Sequence, residues 1–338
     1  MIEFNDILQA HARIKSIVKH TEVVHSKLLN KWMGHEIFFK VECMQTTGAF
    51  KLRGASNFLA KLAEQESLPK HIVANSSGNH AQAVAFAAKQ FNIPVTIYAT
   101  SNISSIKAAA TKHYGAELKL FDTRLQADSA VQEAASEKDV VWIPPFNHPD
   151  IIAGQGTACL EALQSIDNIN AVFAPCGGGG LLSGTYVCAK HFDPQIKVIG
   201  AEPLAANDAA QSLRNGRIIS LQQTPKTLAD GAATPSVGHH TYEILQQLDG
   251  FYEVNETDIA YWTQWLHHLL KMHIEPTCAM TMQAVAEWLN DQVSPQRVMV
   301  IISGGNISAT SMQNVWAHDH LTKLPSLGQT HLNNLSNK

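Results

Sequence analysis

Lys51 is the side chain of this sequence best placed for covalent chemistry. It lies in Thr46 to Ala55, TTGAFKLRGA, between an aromatic residue and an arginine, just before a helix expected over Leu52 to Glu66. Thr46, Thr47 and Gly48 suit a tight turn that opens onto that helix. A helix N-terminus leaves backbone N–H groups free and carries the positive end of the dipole. An ammonium is disfavoured there, and the neutral amine is both nucleophile and base. A lone lysine at a helix start is more commonly a solvated side chain, so the case for Lys51 rests on its company.

Ligands of open α/β sheets bind beyond the carboxyl ends of the strands, so the loops after each strand-like run hold the next candidates. After HIVAN come Ser76, Ser77, Gly78, Asn79 and His80, which run into a helical stretch. Their N–H groups suit a carboxylate, although Ser77 or Asn79 would also make a plain helix cap. After AVFAPC come Gly177, Gly178, Gly179 and Gly180, a run that lets backbone approach a phosphate. It has neither the Lys-Ser/Thr ending of a P-loop nor GxGxxG spacing, so it points to phosphate without naming the molecule. After RVMVIIS, Ser303 ends a buried run and can send a hydroxyl into a cleft ahead of Gly304, Gly305 and Asn306. Within KVIGAEP stands Glu202, with Asp208 six residues on. Two carboxylates with carbonyls between them can hold a hard divalent cation, but by spacing alone a solvated pair is the plainer description.

The elements that must position these loops are legible as an alternation. EIFFKVE, HIVANSS, PVTIYAT, ELKLF, VVWIPPF, AVFAPCG, KVIGAEP and RVMVIISGG read as strands. Between most of them lie stretches of helical period, such as Ala81 to Phe91 and Arg124 to Lys138. The expected class is α/β, with parallel sheets covered by helices and apolar strands buried on both faces. Residues 68–146 are expected to form a small domain, 1–67 with 147–323 a large one, and 324–338 a disordered tail. A late helix capped by Asn255 should run to Met272, with Tyr261, Trp262 and Trp265 serving as packing or subunit contact.

Composition narrows the function classes. With 338 residues the chain can bury a large core. Its 25 basic and 29 acidic residues give a net charge of −4 without charged blocks, which argues against nucleic acid and anionic membrane as partners. The N-terminus has no apolar signal segment, and no run is long enough to span a bilayer. The five cysteines are scattered without CxxC spacing, as expected of reduced thiols in a cytoplasmic protein. The 17 histidines, including His239-His240 and His267-His268, read as solvated polar residues rather than metal ligands.

In order, TGAFKLRGA, SSGNHAQA, PCGGGGLLSG and SGGN resemble the pyridoxal-phosphate enzymes of fold type II, within them the threonine/serine dehydratase and serine racemase branch. Asn147 to Thr157 (NHPDIIAGQGT), Ala201 to Pro203, Leu228 to Gly231 and Glu275 to Thr277 match as well, so the likeness covers roughly residues 5 to 310. It implies a two-lobed, tryptophan synthase β-like fold and pyridoxal 5'-phosphate as cofactor. Lys51 is then the Schiff-base lysine, Phe50 and Gly238 flank the ring, Asn79 meets its 3-hydroxyl, Ser303 its pyridine nitrogen, and Gly177 to Gly180 its phosphate. Ser76, Ser77, Gly78, Asn79 and His80 would hold the carboxylate of an amino-acid substrate. Glu202, the carbonyl of Ala206, and Asp208 would bind magnesium, calcium or manganese, which reverses the reading from spacing alone. A homodimer is implied too, with the helix near Trp262 a candidate contact.

A serine hydroxyl cannot hold the pyridine nitrogen firmly protonated, so the implied chemistry is prompt loss of a β-hydroxyl. The first expectation is therefore a threonine/serine ammonia-lyase that forms 2-oxobutanoate or pyruvate. Ser77, as a second acid or base facing Lys51, would add serine racemisation, and a 3-hydroxyaspartate dehydratase is a further alternative. A binding protein that holds a phosphorylated ligand without chemistry is the reading from another class, opposed by intact Lys51 and Ser303. The chain departs from the family pattern at Ala49, Cys278 and Ile307-Ser308.

Overall fold

Apolar, β-branched runs separated by segments of helical period are satisfied when strands lie parallel and helices cover both faces. The computed structural model, which describes residues 2–76, 78–223 and 225–327, has this arrangement. Its strands are β1 (Val23–His25), β2 (Glu36–Val41), β3 (His71–Asn75), β4 (Val95–Thr100), β5 (Glu117–Phe121), β6 (Val140–Trp142), β7 (Ala171–Pro175), β8 (Lys197–Pro203), β9 (Gly250–Val254) and β10 (Arg297–Ile302). One sheet has six strands in the order β1-β2-β10-β7-β8-β9, and the other has four in the order β5-β4-β3-β6. Among the described residues only β1 and β2 pair antiparallel; the other strand pairs are parallel. The fold is thus α/β, with two parallel-dominated sheets under helices. Each run read as a strand is one, while β1 and β9 are additional. β1 is three residues long, and β9 is only partly buried along most of its length, so neither carries a strong apolar signal.

Register sets the site. Ile302 at the end of β10 pairs with Val41 of β2, and Pro175 at the end of β7 pairs with Ala201 of β8. Adjacent parallel strands therefore deliver Ser303, the glycine run and Glu202 at one edge of the six-stranded sheet. The SSGNH segment leaves the end of β3 in the other sheet.

The helix Lys51–Glu64 is buried from Leu52 through Ala60, including the polar Arg53, Ser56 and Asn57. It packs on the helix Pro149–Ser165, itself buried from Ile151 through Leu163. A Cβ at Gly154 would stand 2.7 Å from the Arg53 carbonyl oxygen and the Gly54 Cα, so only glycine lets the two backbones approach this closely.

The helix Glu256–Leu270 is capped as expected, with Asn255 Oδ1 accepting the Asp258 N–H at 3.0 Å. Trp262 and Trp265 are core residues, 2% and 4% exposed, with their indole N–H groups on Gln283 Oε1 and the Lys323 carbonyl. Of the two roles expected of these rings, packing is the one they serve. Of residues 324–338, expected to be a disordered tail, the first four are described, with Pro325 buried and Leu327 packed on the same core. Residues 328–338 lie outside the described residues. All five cysteines are free. Among the described residues no helix is long and apolar enough to cross a membrane.

Candidate active site

The Lys51 loop is pinned to the end of β10. Ala49 forms a β-bridge with Gly304, Phe50 N–H donates to the Ser303 carbonyl at 3.0 Å, and Gly305 N–H donates to the Gly48 carbonyl at 2.9 Å. Gly48 has φ +72°, and a Cβ there would lie 2.4 Å from Asn306 Oδ1, so the turn requires glycine twice over. These contacts bring Lys51, Phe50 and Ser303 together. Lys51 Nζ donates to the Pro145 carbonyl at 2.6 Å and stands 5.2 Å from the Phe50 ring centroid. Burial pushes its pKa down to about 8, which puts a substantial neutral fraction within reach near neutral pH. Ser303 is 3% exposed.

Pro145 leads into Phe146, whose ring lies against Gly178 and whose backbone lies against Gly180; a Cβ at Gly178 would fall 2.2 Å from the ring. The helix Gly180–Phe192 begins in the glycine run, with Gly179 at φ +90°. Its first turn presents backbone N–H groups and a dipole suited to a phosphate.

Sequence reasoning missed the residue that fastens this loop. The Thr241 hydroxyl lies 2.8 Å from the Gly178 carbonyl oxygen and accepts the Gly238 N–H at 3.0 Å, so it joins the glycine run to Gly238. Gly238 is also crowded by Asn147, whose Cγ would be 2.1 Å from a Cβ there. No sequence pattern marks Thr241, whereas Asn147 opens a segment that the family resemblance had already picked out.

The SSGNH segment is placed in part. Ser77 lies outside the described residues. Gly78 caps the helix Asn79–Gln90, and its N–H donates to Ser76 Oγ at 3.1 Å. The His80 imidazole is turned into the core, with Nε2 2.9 Å from the Ile143 carbonyl oxygen. Burial and the neighbouring Lys51 push its pKa down to about 3, so the ring is neutral. The ring is therefore not offered to a carboxylate, which leaves His80 its backbone N–H in the first helical turn, the group expected of this segment. Asn79 Nδ2 lies 3.0 and 2.9 Å from the two oxygens of Glu275, and its Oδ1 accepts from Asn306 Nδ2 at 2.9 Å.

Glu202 and Asp208 are each 1% exposed, and Ala206 between them in the chain is buried. Glu202 accepts the N–H groups of Ala210 and Ala209 at 2.7 and 3.2 Å. Neither Asp208 oxygen has a partner of hydrogen-bond geometry among the described residues; its own amide and that of Val237 are the nearby donors. Burial pushes Glu202 up to about 9 and Asp208 up to about 7. The orphaned Asp208 oxygens, with a second buried carboxylate and a backbone carbonyl nearby in the chain, fit a hard cation. No group of three or more His, Cys, Asp or Glu side chains gathers as a metal cluster among the described residues.

Comparison with known proteins agrees with this geometry. Residues 14–304 match the family described as "Pyridoxal-phosphate dependent enzyme". The chain is 40% identical over 306 residues to an L-threo-3-hydroxyaspartate ammonia-lyase of Saccharomyces cerevisiae, spanning 90% of this chain and 93% of that protein. It is 38% identical to a serine racemase of Schizosaccharomyces pombe, over 90% of this chain and 94% of that one. The crystal structure of a threonine deaminase from T.th. superposes with a TM-score of 0.85 at 36% identity, covering 91% of this chain and 99% of that chain. With a buried amine beside a glycine-rich helix start, and a family match across most of its length, the chain belongs to the fold-type II pyridoxal-phosphate enzymes of the serine racemase, threonine deaminase and hydroxyaspartate ammonia-lyase group.

Proposed function

We propose that this chain is an ammonia-lyase acting on L-threo-3-hydroxyaspartate, releasing ammonia and a 2-oxo dicarboxylic acid. The observation that carries the substrate choice is Arg124. A second substrate carboxylate needs a cation, and the others near the site are committed: Lys51 to the chemistry, and Lys107 to Asp230 at 2.7 Å. The His80 ring is neutral. Arg124, 39% exposed, reaches from the helix Arg124–Ala135 to the Ala233 carbonyl with a long 3.4 Å contact and lies 3.7 Å from Asp128. Ala233 adjoins Gly231 and Ala232, which pack on Gly177. A loosely held guanidinium at the rim of the glycine loop can turn to a carboxylate in bidentate fashion. The 40% identity with the yeast lyase supports the same choice over the threonine or serine lyase first expected.

Pyridoxal phosphate, when bound, supplies an aldehyde for the amine and a ring that accepts the electrons of the Cα–H bond. The residues present fit it: a buried amine of lowered pKa, a hydroxyl at the end of β10, and glycines at a helix start. Lys51 would take the Cα proton, and the first turn of the helix Asn79–Gln90 would hold the α-carboxylate. The glycine run and the start of the helix Gly180–Phe192 would hold the phosphate. The Ser303 hydroxyl would meet the ring nitrogen without protonating it firmly, which favours loss of the β-hydroxyl over a long-lived carbanion. Phe50 and Gly238 would bound the two ring faces.

Turnover of L-threo-3-hydroxyaspartate, L-serine, D-serine and L-threonine, followed by 2-oxo acid and ammonia release, tests the assignment. We expect hydroxyaspartate to lead in kcat/KM. Arg124→Met should lower that value by about 100-fold, as for losing hydrogen bonds to a charged group, while serine and threonine change little. Equal losses on all substrates would defeat the role given to Arg124. Serine racemisation is the second reading, favoured by the 38% identity with the fission-yeast enzyme. Chiral chromatography that never shows D-serine formed from L-serine would remove it.

A magnesium, calcium or manganese ion held by Glu202, Asp208 and the Ala206 carbonyl would neutralise the orphaned oxygens and tie down the Val237–Gly238 segment. At 100 times its Kd such an ion should add about 2.7 kcal/mol of stability. Thermal melts should then rise with added cation for the unaltered protein and stay flat for Asp208→Asn. A rise of the same size in both would refute the site. A cytoplasmic homodimer completes the proposed picture.

A further inference from the structure

Glu275 begins a segment matched to the family, yet no step above uses it. It is 1% exposed and caps the short helix Pro276–Ala279. Its carboxylate receives Asn79 Nδ2 at 3.0 and 2.9 Å and the Asn306 backbone N–H at 2.9 Å. A Cβ at Gly304 would stand 2.6 Å from its Oε2, so the glycine after Ser303 leaves room for this carboxylate. Asn306 Nδ2 donates both to the Thr47 carbonyl at 2.8 Å and to Asn79 Oδ1 at 2.9 Å.

These contacts allow only one orientation of each amide. Carboxylate and carbonyl oxygens only accept, so Asn306 must turn its NH₂ to Thr47, and Asn79 must turn its NH₂ to Glu275. Flipping either amide would set donor against donor or acceptor against acceptor. The two hydrogens of an amide diverge too widely to serve one carboxylate together. Asn79 thus has its oxygen engaged, one hydrogen engaged and one hydrogen left over. Burial raises the Glu275 pKa, while Lys107 and the donors from Asn79 and Asn306 act in the opposite direction.

We propose that Glu275, assisted by Asn306, is a positioning residue that locks the Asn79 amide with one N–H free to donate to the phenolic oxygen of the cofactor ring. The inference rests on the proposed reading that the site holds pyridoxal phosphate with its 3-hydroxyl at Asn79. It assigns the EPT segment a task in the electronic tuning of the ring, beyond helix capping.

The test uses the full chain, Glu275→Gln and Asn306→Ala, each titrated with pyridoxal phosphate and read by absorbance of the bound cofactor across pH. Cofactor dissociation and the melting temperature of cofactor-free protein are measured alongside. The expected result is a displaced band, or a displaced pH midpoint of that band, in both variants, with about tenfold weaker cofactor retention, the scale of one buried hydrogen bond. Asn306→Ala leaves the carboxylate in place and decides the question if Glu275→Gln does not fold. Wild-type band position and pH midpoint in the folded variants, whatever their melting temperatures, would overturn the inference alone. An unaltered protein that forms no band with pyridoxal phosphate would overturn the cofactor reading and the inference with it.

Discussion

Lys51→Ala is expected to lower turnover by on the order of 10⁴-fold or more, since one amine serves as both covalent anchor and base. Borohydride treatment followed by mass analysis should fix the cofactor on Lys51 in the unaltered protein and on no residue in the variant. Retained turnover, or labelling elsewhere, would remove Lys51 from the mechanism. A second readout needs no cofactor. Lys51 has a folded-state pKa of about 8 against an ordinary 10.5, so between those values the unfolded chain binds more protons than the folded one. Stability then rises with pH across that window, the contribution being full above 10.5 and lost as pH falls through 8. The span corresponds to about 3 kcal/mol. Urea unfolding of the cofactor-free protein should show this alkaline climb, and Lys51→Ala should flatten it. The same slope in both proteins would mean that the amine is not buried as the structure has it.

Much of the site could be read in advance because its groups sit directly after strands, where side-chain type and glycine content are dictated locally. The Lys51 loop, the glycine run and Ser303 arrive together because β2, β10 and β7 are neighbours in one sheet. Contacts that depend on distant backbone oxygens were not legible. The Pro145 carbonyl that receives Lys51 is 94 residues away, and the Gly178 carbonyl that receives Thr241 is 63 away. Residue type says nothing of such pairings. The direction of the His80 ring, packed toward the Ile143 carbonyl oxygen, was likewise beyond what residue type can tell. Trp262 and Trp265 were similarly ambiguous, because an apolar ring can fill a core or an interface and only packing distinguishes the two.

Glu161→Ala is expected to cost about 3–5 kcal/mol, the range for stranding buried partner charges. Arg53 stands two residues beyond Lys51 and is wholly buried. Its guanidinium meets Glu42 at 2.7 and 2.8 Å and Glu161 at 2.7 Å through each of two nitrogens. Glu161 also accepts from the buried Lys40 at 2.6 Å, and Lys40 donates to the Thr21 carbonyl. Removing Glu161 leaves two buried cations sharing one carboxylate, whereas a network replaced as a whole by apolar residues need not lose stability. Arg53 and Lys40 hold the Glu161 carboxyl below the usual carboxylate range against its burial. Its contribution is therefore complete above the ordinary carboxylate pKa and fades as pH falls through the lowered folded value. Because the network clamps the first turn of the helix Lys51–Glu64 to the helix Pro149–Ser165, Glu161→Ala should lower the urea midpoint at neutral pH, with a smaller deficit in acid. An unchanged midpoint at neutral pH would show that the clamp does not hold the lysine helix in place.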